Sequence, residues 1–447
     1  MGRIAWAPIL DGALRARALA AVAETVARVR AQRGVTPSVA HGLSGFALLL
    51  LEANRVQPRL ASTRDVESML ARSVRLVAEV PLGSGLYEGY PGVGLTLELA
   101  RRAGFRGVAG LDEIDRALLG WVERFGAVPP AYAHLDLITG LAGQAIYACA
   151  RLPRIRARRA LERLISWLGQ RAVVVGGGAS WLSPPRASPG PDMLAGNIVD
   201  LGLAHGVPGI LAVLARILEA GIAPRASRRL LQRGTHWLLG QYQVRDGSAF
   251  DAYVANPADR PATDAATART GAARLAWCYG DPGIACALIS CAHALGDRRL
   301  HATAQTMVRR IAALRDDPSV QDASLCHGTA GLLHILHRLY LATGEPRARD
   351  AAIYWAERTL EVRAGPRAMG PDDSGPASPY RPLRFLAGAA GSALALLAAA
   401  SSTAPLWDSI MLLDLPTMGS RAAGRRTTRA HASAPAPRRP RRAIRDS

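Results

Sequence analysis

Cys326 and His327 stand side by side immediately before the tetrapeptide GTAG at 328–331, and Cys278 stands two residues before GDPG at 280–283. Consecutive residues cannot share one face of a helix or a strand, so an adjacent thiol and imidazole reach one point only from a loop. Two thiolates and one imidazole are good zinc ligands, and three protein ligands leave a fourth position open, as at catalytic zinc. A thiol arriving at that position would lose its proton. His205 directly precedes GVPG at 206, Asp136 lies four residues before GLAG at 140, and Arg274 and Tyr279 flank Cys278. An imidazole, a carboxylate and a phenol near an open zinc site could move protons. Each of the flanking residues also has a structural role open to it: a helix cap for Asp136, a surface cation for Arg274, packing for Tyr279.

What must position these residues is a repeat. Gly-x-x-Gly recurs as GLSG at 42, GYPG at 89, GLAG at 140, GVPG at 206, GDPG at 280, GTAG at 328 and GAAG at 388. Each junction opens a run that is apolar on almost every side, as in ILAVLARILEA or LLHILHRLYLA, which is how a helix buried on both flanks reads. Amphipathic segments lie between; Leu300, Ala304, Met307, Ile311 and Leu314 form one apolar stripe. The unit is therefore a hairpin of a buried helix and an amphipathic one. Such units cannot form a core singly but can close into a ring, buried helices inside and amphipathic ones outside. The uneven spacing of the junctions, 47 to 74 residues, argues against an open superhelix of fixed short repeats. All seven junctions would face one end of the ring, where helix N-termini with unpaired N–H groups favour an anion. Three irregular stretches, near 173–197, 245–271 and 364–383, are expected to rim the pocket.

Composition agrees with packed helices: aromatics make up 5% of the 447 residues, and Ala and Leu abound. Five irregularly spaced cysteines do not form a disulfide framework, which points to a reducing compartment. Cys149, Cys286 and Cys291 lie within apolar runs and read as core residues; His334 and His337 share a helix face and read as core or groove positions. His134, two residues before Asp136, is given no role. The formal charge of +20 is carried wholly by Arg, with no Lys, and nine arginines fall in the last 27 residues. That tail, 418–447, reads as disordered and dispensable, and no nucleic-acid partner is expected. No signal peptide is evident, and the apolar run at 385–400 is too short for a confident membrane span, so a cytoplasmic protein is expected, with peripheral membrane association left open.

The junctions together with DLITG, LAHG, WCYG and CHG resemble the lanthionine synthetase C family, the nisin-cyclase-like lantibiotic cyclases, over roughly residues 40 to 400. The resemblance implies an all-α fold, an α/α toroid of seven inner and seven outer helices at 41–417; residues 1–40 are expected as a separate N-terminal helical extension. Residues 1–40 and the tail lie outside the resemblance, which further implies zinc (Zn2+) held by Cys278, Cys326 and His327, His205 as the proton-handling histidine with Asp136 as its partner, and Arg274 and Tyr279 flanking the first ligand. The implied reaction adds peptide cysteine thiols to dehydroalanine or dehydrobutyrine, closing thioether rings. Its partners would be a dehydrated precursor peptide, a separate dehydratase and an export transporter. A glutathione-adding enzyme would share every site residue. A zinc-stabilised peptide-binding scaffold would need a fourth protein ligand and no proton shuttle, and a carbohydrate-active α/α barrel would need paired carboxylates at its mouth.

Overall fold

Every Gly-x-x-Gly junction starts a helix, and its first glycine is the N-cap each time. In the computed structural model of the chain the described residues are 6–32, 36–127, 134–183, 198–244, 248–256, 273–365 and 381–417. The helices begun at the junctions are α2 (Leu43–Val56), α4 (Tyr90–Arg102), α6 (Leu141–Ala150), α8 (Val207–Glu219), α10 (Asp281–Leu295), α12 (Thr329–Thr343) and α14 (Ala389–Ala400). Nearly all their residues are buried, as their all-round apolar sequence requires. The second glycines are needed because the preceding loop folds back on the helix start. A Cβ there would meet the carbonyl oxygen six residues earlier at 1.9–2.3 Å in all seven, for example the Leu325 oxygen at 2.2 Å from Gly331. No side chain fits in that gap.

Amphipathic helices follow six of these: α3 (Thr63–Glu79), α5 (Leu111–Arg124), α7 (Ile155–Gln170), α9 (Pro224–Leu239), α11 (Arg298–Ile311) and α13 (Pro346–Ala364), each packed on the inner helix before it. The stripe in α11 is Leu300, Ala304, Met307, Val308 and Ile311, close to the one expected. The seventh outer helix comes from the other end of the chain. Helix α1 (Gly12–Arg30) buries Ala18, Val22, Val26 and Val29 and packs on α14. The segment expected as an extension, 1–40, thus supplies a member of the outer ring. Inner helices contact one another in order and α14 contacts α2, which closes the toroid.

At the junction end, backbone hydrogen bonds link each loop to the next: Ala40 N–H to Tyr87 O, Tyr87 to Ile138, Leu137 to Ala204, Ala204 to Cys278, Cys278 to Cys326, Cys326 to Leu386, and Phe385 back to Ala40, at 2.9–3.3 Å. This closed girdle leaves the residue just before each first glycine facing the mouth: His41, Glu88, Thr139, His205, Tyr279, His327 and Ala387 are all half-buried or exposed. One expectation is corrected here. The helix-start N–H groups are not simply free for an anion, because those of Leu43, Tyr90, Leu141 and Thr329 donate to Thr36, Gly83, His134 and Asp322 carbonyls in the folded-back loops.

Nothing in the apolar pattern singles out residues 401–417, yet they fill the ring. Glu52 accepts from the Leu406 and Trp407 N–H groups. Buried Asp408 lies 2.8 Å from His334 Nε2 and 2.6 Å from Arg338 Nε. The Tyr87 hydroxyl donates to Ile410 O and the Trp277 indole to Met411 O. Leu412, at φ 58°, turns the chain back to Asp414, which pairs with Arg216. His334 and His337 are therefore core residues, as expected. Two short antiparallel pairs, β1 (Val173–Val175) with β2 (Gly178–Ser180) and β3 (Ile198–Asp200) with β4 (Tyr253–Ala255), were not foreseen; three residues are too few to show alternation. The rest of the irregular stretches, at 184–197, 245–247, 257–272 and 366–380, and the tail at 418–447 lie outside the described residues. Among those described, no helix is long and apolar enough to cross a membrane.

Candidate active site

Cys278 and Cys326 occupy the same register in neighbouring loops, two residues before the N-cap glycine, and the Cys278 N–H donates to the Cys326 carbonyl in the girdle. His327 takes the next, outward-facing position. One ligand atom from each of Cys278, Cys326 and His327 lies within 4.8 Å of the others. His327 Nε2 is 3.2 Å from the Asp322 carboxylate. A hydrogen bond from Cys326 is the main reason the Cys278 thiol sits well below its usual range, against the opposing effect of burial, with His327 and Arg274 adding positive charge. The same bond pushes Cys326 well above its usual range. Asp322 and then Cys278 push the His327 imidazole up to about 9. Soft sulfur donors, an imidazole, and a carboxylate behind that imidazole fit a zinc ion, whose histidine ligands carry such outer partners.

On the adjacent loops a second couple forms. His205 Nδ1 is 2.7 Å from Asp136 Oδ2. Burial alone would raise the Asp136 carboxyl, but the His205 bond and charge and the Thr139 N–H and hydroxyl outweigh it and hold it low. Asp136 does not cap helix α6; its Oδ1 instead ties the Thr139 N–H within the loop before it at 2.8 Å. The Tyr279 ring lies nearly parallel to the His205 ring, centroids 6.2 Å apart, and its hydroxyl donates to Asp200 Oδ2 at 2.8 Å. Arg274 is exposed at the mouth; its charge adds to the lowering of Cys278 and only partly opposes the rise of Cys326. All seven expected residues therefore belong to four consecutive loops of one mouth. Cys149, Cys286 and Cys291 do not join them; burial pushes their thiols up, Cys149 and Cys291 to about 12.

Three groups escaped the sequence reading. Asp200 and Asp322 each bind the N–H two residues ahead, at 2.7 Å, and aim the other oxygen at a site residue. A signal existed: DLGLAHG at 200–206 and DASLCHG at 322–328 share D-x-x-L-x-H-G. His41 Nε2, 3.1 Å from Glu88 Oε1, is a third histidine–carboxylate pair on the same rim.

A closed α/α toroid with a Cys–Cys–His centre at one mouth is the class that fold and site define. The chain belongs to the lanthionine synthetase C-like protein family, whose profile matches residues 35–412. Among solved structures it is similar to nisin cyclase, with TM-score 0.67, 19% identity and coverage of 89% of this chain and 97% of that one. It also matches, more distantly, unsaturated glucuronyl hydrolases from Bacillus sp. GL1 (TM-score 0.41, 15% identity, 86% and 96% coverage) and Streptococcus agalactiae (0.44, 12%, 90% and 98%). No curated protein matches by sequence.

Proposed function

We propose that the protein is a zinc-dependent lanthipeptide cyclase that adds cysteine thiols of a dehydrated peptide to dehydroalanine or dehydrobutyrine. The observation that carries this reading is the Cys278–Tyr279 dipeptide: its sulfur lies in the Cys–Cys–His cluster while its phenol ring lies against His205. Cys278, Cys326 and His327 would hold the metal. When bound, zinc supplies an open position at which a substrate thiol is a thiolate near neutral pH.

In the conjugate addition a sulfur–Cβ bond forms, the double-bond electron pair moves toward the carbonyl as an enolate, and a proton must reach Cα. His205 is suited to deliver it. Its Nδ1 is committed to the Asp136 carboxylate, which fixes the ring and leaves Nε2 as the atom that would deliver the proton. Tyr279, with its hydroxyl on Asp200, braces the imidazole rather than competing for the proton. Arg274 favours anionic sulfur. A non-catalytic scaffold would have no use for the His205–Asp136 couple.

The test is ring closure on a dehydrated precursor peptide, followed by loss of thiol-alkylation products and corrected for the uncatalysed rate. Wild type should close rings. His205→Asn should be slower by about 10²- to 10⁴-fold while keeping its zinc. Wild-type rate in that variant would remove histidine from the mechanism. Faster addition of glutathione than of the peptide's own thiol would transfer the assignment to protein-thiol coupling.

A further inference from the structure

Seven outer helices surround the ring, and two of them lack the acid that the other five carry at the N-cap or in the first turn. Helix α7 with its N-cap presents five exposed arginines between 154 and 163 against one acid, Glu162; α9 presents four between 225 and 233 against none. The two helices are in contact, which puts these nine exposed cations on adjoining parts of the outer ring. Elsewhere on the outer ring several arginines are paired, as in Arg28–Glu24, Arg30–Asp65, Arg116–Glu113, Arg309–Glu345 and Arg358–Glu361. Among the described residues none of the nine forms an ion pair.

Their placement also works against local stability. Neither helix has an acid at its N-cap or in its first turn, where each of the other five has one, and both load arginines there, against the helix dipole. Arg154 and Arg158, Arg159 and Arg163, Arg225 and Arg229, and Arg229 and Arg233 are like-charge neighbours four residues apart. Sequence that departs from local preference in this concentrated way marks function. Ile155, 60% exposed, stands between Arg154 and Arg156.

We propose that this face docks on an anionic lipid surface. A single protruding aliphatic among solvated cations suits a headgroup layer, which rewards charge near the surface and shallow apolar insertion. A protein partner would call for a central apolar or aromatic patch, and single-stranded nucleic acid for stacking rings; the surface has neither. Position supports the choice. Short links make α6–α7 and α8–α9 antiparallel hairpins, so the basic N-terminal halves of α7 and α9 lie at the end of the ring away from the junctions. A chain docked there keeps its mouth open to a peptide. The described chain leaves the ring at the same end, just beyond Asp414 on Arg216 of α8, and the sequence that follows adds nine arginines and one aspartate.

The test is co-sedimentation of the full chain with phosphatidylglycerol vesicles at low and physiological salt, beside neutral phosphatidylcholine vesicles. Binding to the anionic vesicles alone is expected, weakening with salt. The combined Arg158→Glu, Arg159→Glu, Arg228→Glu, Arg229→Glu variant should bind at least about tenfold more weakly, with an unchanged or higher melting temperature, since acids near helix N-termini are favourable. A control with the same charge change on α11 and α13 (Arg298→Glu, Arg299→Glu, Arg347→Glu, Arg358→Glu) should keep most of the binding. Equal loss in both variants would mean diffuse charge, and wild-type binding in the first would place adhesion in the tail. Complete displacement by an RNA oligomer at equal phosphate would make nucleic acid the better occupant. Each of these three results overturns the proposal.

Discussion

His327 is held between a sulfur and a carboxylate, and the carboxylate can be removed without touching a ligand. Asp322→Asn keeps the shape and the oxygen that ties the Ser324 N–H, but it removes the charge facing the imidazole. Zinc affinity should fall about 10- to 100-fold, measured by competition with a chromogenic chelator; an unchanged affinity would show that Asp322 serves only its turn. Cys278, Cys326, His327, His205 and Asp136 were legible in sequence because each lies within four residues of a junction glycine and no amphipathic stripe explains them. Asp322 and Asp200 were not, because an acid six residues upstream of a helix reads as an ordinary turn former. Their second role depends on an oxygen reaching into space shared with another part of the chain. Tyr279 shows the same limit: its type and place were readable, but its bond to Asp200 was not.

At the scale of elements, seven pairs of glycines fix how closely each loop folds over the helix it starts. Gly331→Ala would drive a Cβ into the Leu325 backbone oxygen at 2.2 Å, and backbone cannot swing aside as a side chain can. A loss of about 1–3 kcal/mol in urea unfolding is expected, typical of overpacking. Gly107→Ala, with nothing within 4 Å of the added carbon, should leave the midpoint nearly unchanged. Equal effects would mean that the close approach is not what glycine is for. The inner helices were readable because continuous apolar runs of this length have few alternatives. The place of α1 was not, because its amphipathic pattern says that it covers something but not that the something is α14, at the far end of the chain. The β pairs fell below the length at which alternation can be seen.

The whole molecule is a ring held three ways: inner helices against their neighbours, a girdle of loop hydrogen bonds at the mouth, and a C-terminal segment up the axis. The last of these reaches the site. Met411 and Ile410 accept hydrogen bonds from Trp277, next to Cys278, and from Tyr87, which shares the register of the two cysteines. Asp408 is fully buried against Arg338 and His334; burial opposes its ionisation, yet Arg338 holds its carboxyl down at about 2, so the segment is locked by charge as well as by packing. Closure of seven inner helices into a ring was inferable from the number and uneven spacing of the junctions; the filled axis was not, because residues 401–417 carry no period. Closure is also what makes the chemistry, since it brings residues of separate hairpins to one mouth. The direct test of that claim is the zinc content of the purified full-length protein by elemental analysis. One zinc per chain is predicted, retained in Cys286→Ala and largely lost in Cys326→Ala. A Cys326→Ala protein that still carried a full equivalent of zinc would contradict the assignment of the centre.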